Sequence, residues 1–227
     1  MNILHRITRV FGQTISITKT KIMVVQSERT AAGNTQTPII SIEGQELEVV
    51  SKFKYLGSVE SSQGKMDDEV LRRCHGMYGA FYKLKHVFID KKLQLKTRLK
   101  LLNIIIVPHG LYGCQAWNLS VKNMAALESV YFAILRRILG VRDRRTPFID
   151  VIDQARRCNE DICPLECRIR QSQLRYFGHV LRKGGKDSTN EMAYSYIAGN
   201  AKQGGQFMDF KDSLQEALRM FVISRKN

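Results

Sequence analysis

The chain changes its rhythm near residue 60. Before that point apolar positions come in short, alternating runs. After it they recur every three or four residues. Asn2–Phe11 places Ile3, Leu4, Ile7 and Val10 on one helical face, and Gly12 follows as a stop. That helix begins with the chain itself, so a further segment is expected upstream. Thr14–Thr18 alternates with period two, and Lys21–Val25 is a second β-rich run. The polar stretch Ser27–Pro38 reads as a loop. Ile39–Ile42 and Leu47–Val50, joined through Glu43, Gly44 and Gln45, predict a hairpin. Phe53–Val59 predicts one more strand, and Ser61–Gly64 closes the β section.

From Asp67 the period is helical. Val70, Cys74, Met77, Phe81, Leu84 and Phe88 are spaced 4, 3, 4, 3, 4 and predict a single long helix. Asp67, Asp68 and Glu69 fill its first turn, where negative charge suits the helix dipole. Leu93–Val107 predicts a second helix, basic at first and then almost wholly apolar, disturbed by Pro108 and Gly110. Ser120 is a candidate N-cap for a third, carrying Met124, Leu127, Tyr131, Ile134 and Ile138, with Gly140 as its stop. Pro147–Ala155 predicts a short helix. Pro164 opens another, which Gly184 and Gly185 end. Residues 186–206 read as a linker, and Phe207–Ser224 as a last amphipathic helix. Trp117 and Tyr112 are expected to anchor the core. The order predicts an α+β fold, mostly α: a small antiparallel sheet or hairpin, then a helical bundle.

Charge sharpens this picture. Thirty-six Lys and Arg against 21 acids leave +15, a field that favours a polyanion, most simply nucleic acid. An anionic membrane surface is the rival partner. The excess is +2 over residues 1–60, +8 over 61–140 and +5 over 141–227, so it belongs to the helices. The longest apolar run, Leu101–Val107, is broken by Asn103 and falls far short of the ~18 residues of a membrane span. Five cysteines lack disulfide-scaffold spacing, and Met1–Val10 is not a signal peptide. An intracellular site, nucleus or cytoplasm, is expected.

The ordered motifs resemble the back half of a reverse transcriptase of the non-LTR (LINE-type) retrotransposon family. Phe11-Gly12-Gln13-Thr14-Ile15-Ser16 and Lys19-Thr20-Lys21-Ile22-Met23 match its Gly-Leu-Thr-Ile-Asn and Lys-Thr-Lys-Val-Met segments, with Ser16 in place of asparagine. Phe53-Lys54-Tyr55-Leu56-Gly57 matches its primer-grip strand. Lys96–Leu102, Pro108–Trp117 and Leu135–Gly140 match its thumb helices. Leu174–Arg182 resembles a Leu-Arg-Trp-Leu-Gly-His-Val-x-Arg element, and Phe210-Lys211-Asp212 its terminal Phe-Lys-Asp. Gln115 stands where the family has Glu, and Gly110 where it has a larger residue. The resemblance implies an end of palm with primer grip over 1–62 and a thumb-like domain over 63–142. A helical connection over 143–185 and a linker with terminal helix over 186–227 complete it.

In that family the activity is RNA-directed DNA polymerisation, with magnesium held by aspartates on a palm hairpin. Those aspartates precede the Gly-x-Thr-Ile segment, which here starts at Gly12. The resemblance therefore implies a truncated polymerase, inactive alone, missing its fingers and early palm, with no cofactor and no catalytic residue of its own. Lys65-Met66-Asp67-Asp68 imitates a catalytic turn but follows the primer grip and opens a helix, so helix N-terminal acids are the expectation. Tyr55 and Gly57 are the grip candidates for contacting a primer, with a core strand as the plainer alternative. Lys19 is a possible phosphate contact. Arg72, Arg73, Lys83, Lys85, Lys96, Arg98, Lys100, Arg136 and Arg137 are the candidates for gripping an RNA or DNA primer–template without reading its sequence. Cys158, Cys163, Cys167 and His179 carry zinc-type donors, but the spacing is not that of a zinc knuckle, and no metal is expected. Two other readings stand beside this one: a helical scaffold for a protein partner, and a transposon remnant without function.

Overall fold

The computed structural model describes residues 2–25, 39–62, 64, 66–143, 145–183 and 210–223. The expected loop at Ser27–Pro38, the Gly184-Gly185 stop and the 186–206 linker lie outside them. The fold is α+β and mostly α. Contacts group the chain into two compact units, Met1–Glu69 and Val70–Asn227.

The first unit opens with helix α1 (Asn2–Val10), and Gly12 after it takes φ +70°. His5 and Arg9 on this helix both reach the Glu43 carboxylate, at 2.9 and 3.1 Å. The alternation of Thr14–Thr18 does not become a strand: residues 17–19 turn, and Thr20 N–H returns to Ser16 C=O at 2.9 Å. The threonine and serine hydroxyls close that turn locally, Thr20 Oγ1 donating to Ser16 O at 2.7 Å. Lys21–Ile22 (β1) pairs parallel with Glu48–Val49 (β4), and Lys21 meets Glu48 across the pair. A hairpin forms here, but tighter than expected: Ser41–Ile42 (β2) pairs with Gln45–Glu46 (β3), and Glu48–Val49, expected in the second arm, pairs with β1 instead.

The run Phe53–Val59 is not one strand but a tight hairpin. Lys52–Tyr55 (β5) and Ser58–Ser61 (β6) pair antiparallel, with Tyr55 opposite Ser58. Leu56 and Gly57 form the two-residue turn at φ +46° and +83°, the geometry of a type I′ loop. The glycine takes this backbone without strain; the leucine does not. Leu56→Asn is therefore expected to stabilise the hairpin by about 0.5–1 kcal/mol. Slower amide exchange at Tyr55 and Ser58 is the measurement. A glycine in mid-strand concealed this turn, because β-rich residues flank it on both sides.

Helix α2 (Asp67–Lys83) starts in the first unit and continues into the second. The stripe Met77, Phe81 and Phe88 is fully buried, but it does not lie on one rod. The helix breaks at Leu84 and restarts as α3 (Lys85–Ile89). On a straight helix Phe81 and Phe88 would stand about 10 Å apart along the axis. The break folds them together, and their rings stack with centroids 5.5 Å apart.

Leu95–Leu101 (α4), a π turn at Leu102–Ile106 and Val107–Leu111 (α5) follow. Pro108 falls in the first turn of α5, where its missing N–H costs least. Ser120 caps α6 (Val121–Leu139), its Oγ accepting from Asn123 N–H at 3.2 Å, and Gly140 ends it at φ +78°. Leu127, Tyr131, Ile134, Leu135 and Ile138 from α6 are buried, as are Leu99, Leu102 and Ile106. Burying each large apolar side chain contributes about 1.5–3 kcal/mol, which is what holds these helices together. Phe148–Cys158 (α7) and Leu165–Arg182 (α8) pack against α6. Phe210–Ile223 (α9) packs on α8, where Glu216 pairs with the buried Arg170.

Trp117 is buried as expected, and Gln173 of α8 donates to its carbonyl at 2.7 Å. Tyr112 is not a core anchor; it is 56% exposed.

Candidate nucleic-acid interface

Between residues 70 and 127 the chain has one acid, Asp90, against ten Lys and Arg. Past the three acids that open α2, the chain through α5 therefore offers cations with almost nothing on the same stretch to neutralise them. Each cation must still be open to a ligand. The structure divides them.

Lys83, Lys85, Lys96, Lys100 and Arg137 are exposed. Lys96 and Lys100 stand one turn apart on α4. Lys83 and Lys85 flank the break between α2 and α3. Arg137, near the end of α6, lies over two tyrosines of α2, its guanidinium carbon 5.9 Å from the Tyr78 ring and 5.8 Å from Tyr82. Lys85 Nζ lies 6.0 Å from the Tyr82 ring. So α2, α3 and α6 bring two aromatics and two cations to one surface, a grouping hidden from sequence because 55 residues separate Tyr82 from Arg137.

Arg98 is placed differently. Its Nη1 donates to Ile138 O at 2.9 Å and to Phe88 O at 3.3 Å. Those carbonyls belong to the last turns of α6 and α3, which have no helical partner of their own. The guanidinium closes two helix C-termini and is not presented to a phosphate. Arg136 is half-buried, donates to Thr146 O at 3.4 Å and to Asp143 O, and stacks 5.3 Å over Phe132. It braces the loop after α6. Arg73 is 6% exposed, with its guanidinium 4.9 Å from the Tyr112 ring. Arg72, Arg73, Pro108, His109 and Tyr112 line a cleft of about 300 Å³.

In the first unit Tyr55 is 61% exposed beside the hairpin turn that contains Gly57. Phe53 is half-buried, on the same strand. Lys19 is exposed, in the turn before β1.

Two of the three acids that open α2 are engaged. Asp67 is its first residue. Asp68 pairs with Lys52 at 2.8 Å. Glu69 is fully buried, and its Oε2 accepts from Val59 N–H at 2.8 Å. They sit at a helix start, not at a bend between strands. The sequence places all three in the first helical turn but does not show that Glu69 is buried. Cys167 and His179 both lie on α8, twelve residues or about 18 Å apart, too far to share one ion. Burial pushes the Cys74, Cys114 and Cys167 thiols up, away from nucleophilic character.

One acid has a role that the sequence did not disclose. Pro164 precedes α8 and offers no side-chain cap. Glu128 of α6 supplies one, its Oε1 accepting from Glu166 N–H at 2.8 Å. No helix among the described residues is long and apolar enough to cross a membrane.

Comparison with known proteins adds one relationship. The chain is 26% identical over 145 residues to an uncharacterized transposon-derived protein of Caenorhabditis elegans. The match covers 61% of this chain and 49% of the relative, so the chain spans about half the length of the protein it matches. No family model matches. No solved structure matches.

Proposed function

We propose that this chain is of transposon origin and corresponds to the palm end, primer grip and thumb of a non-LTR reverse transcriptase. Its own activity is sequence-independent binding of RNA or DNA. The transposon-derived relative supports the origin, and the ordered motifs support the finer identity. The observation that carries the binding is the acid-poor stretch from Val70 to the end of α5, with Lys83, Lys85, Lys96 and Lys100 exposed. Cations in that state gain affinity by releasing counterions from phosphates. The β5–β6 hairpin supports the primer-grip assignment: its turn holds Leu56 in a costly backbone conformation beside an exposed Tyr55. The reading places the chain inside the cell.

The test is binding of a primer–template duplex by fluorescence anisotropy, between about 50 and 200 mM salt. The wild-type chain is expected to lose affinity steeply, about linearly in log–log form. Replacing Lys83, Lys85, Lys96 and Lys100 with glutamine is expected to weaken binding at least ~10-fold and flatten the slope by up to about 4. Affinity indifferent to salt would instead favour a helical scaffold for a protein partner. The exposed apolar stripe of α1, with Ile3, Ile7 and Val10, and Phe11 just past its end, is the feature that favours that second reading.

A further inference from the structure

We infer that the Tyr78–Tyr82–Arg137–Lys85 surface is a stacking platform for unpaired nucleobases, so that the chain holds single-stranded nucleic acid in preference to blunt duplex there. The inference rests on the nucleic-acid reading above and goes further, because phosphate attraction alone does not distinguish one strand from two. Tyr78 and Tyr82 are one helical turn apart on α2, with ring centroids 6.2 Å apart and planes inclined by 33°. Tyr82 is 52% exposed. It is also held in place. The fully buried Phe81 meets it edge-on at 5.6 Å, and Phe81 in turn stacks on Phe88. An exposed aromatic fixed from beneath loses little freedom when a base is laid on it.

The cations complete the surface. Arg137 bridges both rings, and its planar guanidinium is itself a stacking partner. Lys85 stands at the Tyr82 ring, and Lys83 is next to it in sequence. No acid occurs between Val70 and Ile89 or between Ser129 and Arg142, the two stretches that build the platform. Two tyrosine rings inclined to one another, with Arg137 over both and Lys85 over Tyr82, suit a base attached to a phosphate backbone. In duplex the faces of the bases are already stacked on one another, and only the phosphates remain for Arg137, Lys83 and Lys85.

The full chain is titrated into an unstructured oligodeoxythymidine strand of about 20 nucleotides and, separately, a blunt duplex of the same length. Tyr82→Ala is expected to weaken single-strand binding about 5- to 100-fold, the loss of one base stack. Duplex affinity is expected to stay within about twofold, and the salt slope on either ligand to be unchanged, since no charge is removed. Tyr82→Phe keeps the ring and is expected to bind both ligands as wild type does. A Tyr82→Ala variant that loses nothing on the single strand, or loses equally on both ligands, overturns the platform while the wider binding reading stands. A wild-type chain that binds neither ligand overturns both.

Discussion

Gly110→Leu is expected to cost more than about 3 kcal/mol, a large share of the 5–15 kcal/mol typical of a domain. The reason is one methionine. A Cβ built at residue 110 would lie 2.4 Å from Met77 Sδ, 2.9 Å from its Cγ and 3.1 Å from its Cε. Met77 is fully buried, so its flexible chain has no solvent to swing into. Gly110→Ala already demands a different Met77 rotamer, at about 1–3 kcal/mol; leucine adds three more carbons. Trp117, the single tryptophan and itself buried, reports the unfolding of this unit in urea. A Met77→Ala, Gly110→Ala double variant tests the cause. Its loss is expected to be smaller than the sum of the singles by about 1–2 kcal/mol, because each removes what the other collides with. Additive losses would show that the two side chains do not compete. Met77 fills the space that a larger side chain at residue 110 would need.

Arg98→Met is the second large effect. The guanidinium is a charge-assisted donor to two helix C-terminal carbonyls, Ile138 O and Phe88 O. Its positive charge also complements the negative ends of α6 and α3. Methionine retains much of the stem but leaves two half-buried carbonyls without their donor. The expected loss is about 2–4 kcal/mol, read as a lower urea midpoint at unchanged slope. Nucleic-acid affinity per folded molecule is expected to stay within about twofold. Lys96→Met should do the reverse: stability within about 0.5 kcal/mol and weaker binding. Arg98 and Lys96 look alike along the chain, two residues apart in a basic run. If Arg98→Met spares stability and weakens binding, the assignment of this side chain to the helix ends is wrong.

These residues mark how far the sequence could be read. The helices were legible because their signals are local. Ser120 caps within three residues, Gly140 stops α6, and the apolar spacing of α6 survives into the buried set. The break at Leu84 was not legible, because the spacing of Phe81, Leu84 and Phe88 is the same whether the helix continues or bends. Thr14–Thr18 misled for a related reason: alternation describes a strand only when a partner strand is present, and here the hydroxyls turn the chain back. The candidate site was legible as a charge excess and no further. Composition counts guanidinium groups but cannot say which meet water and which meet a carbonyl. Arg98 finds its acceptor 40 residues away, Glu128 its helix start 38 residues away, and Arg137 its tyrosines more than 50 residues away. Those pairings arise from packing, which no short window contains.

The π turn at Leu102–Ile106 has a consequence for how the chain can vary. Its carbonyls accept from five residues ahead instead of four, so it houses one residue beyond what an α-helix would carry over the same stretch. Gaining or losing a residue at this point would rotate the following turn by about 100° without ending the rod. Length differences among related chains are thus best sought between α4 and α5, at a joint already built to absorb a surplus.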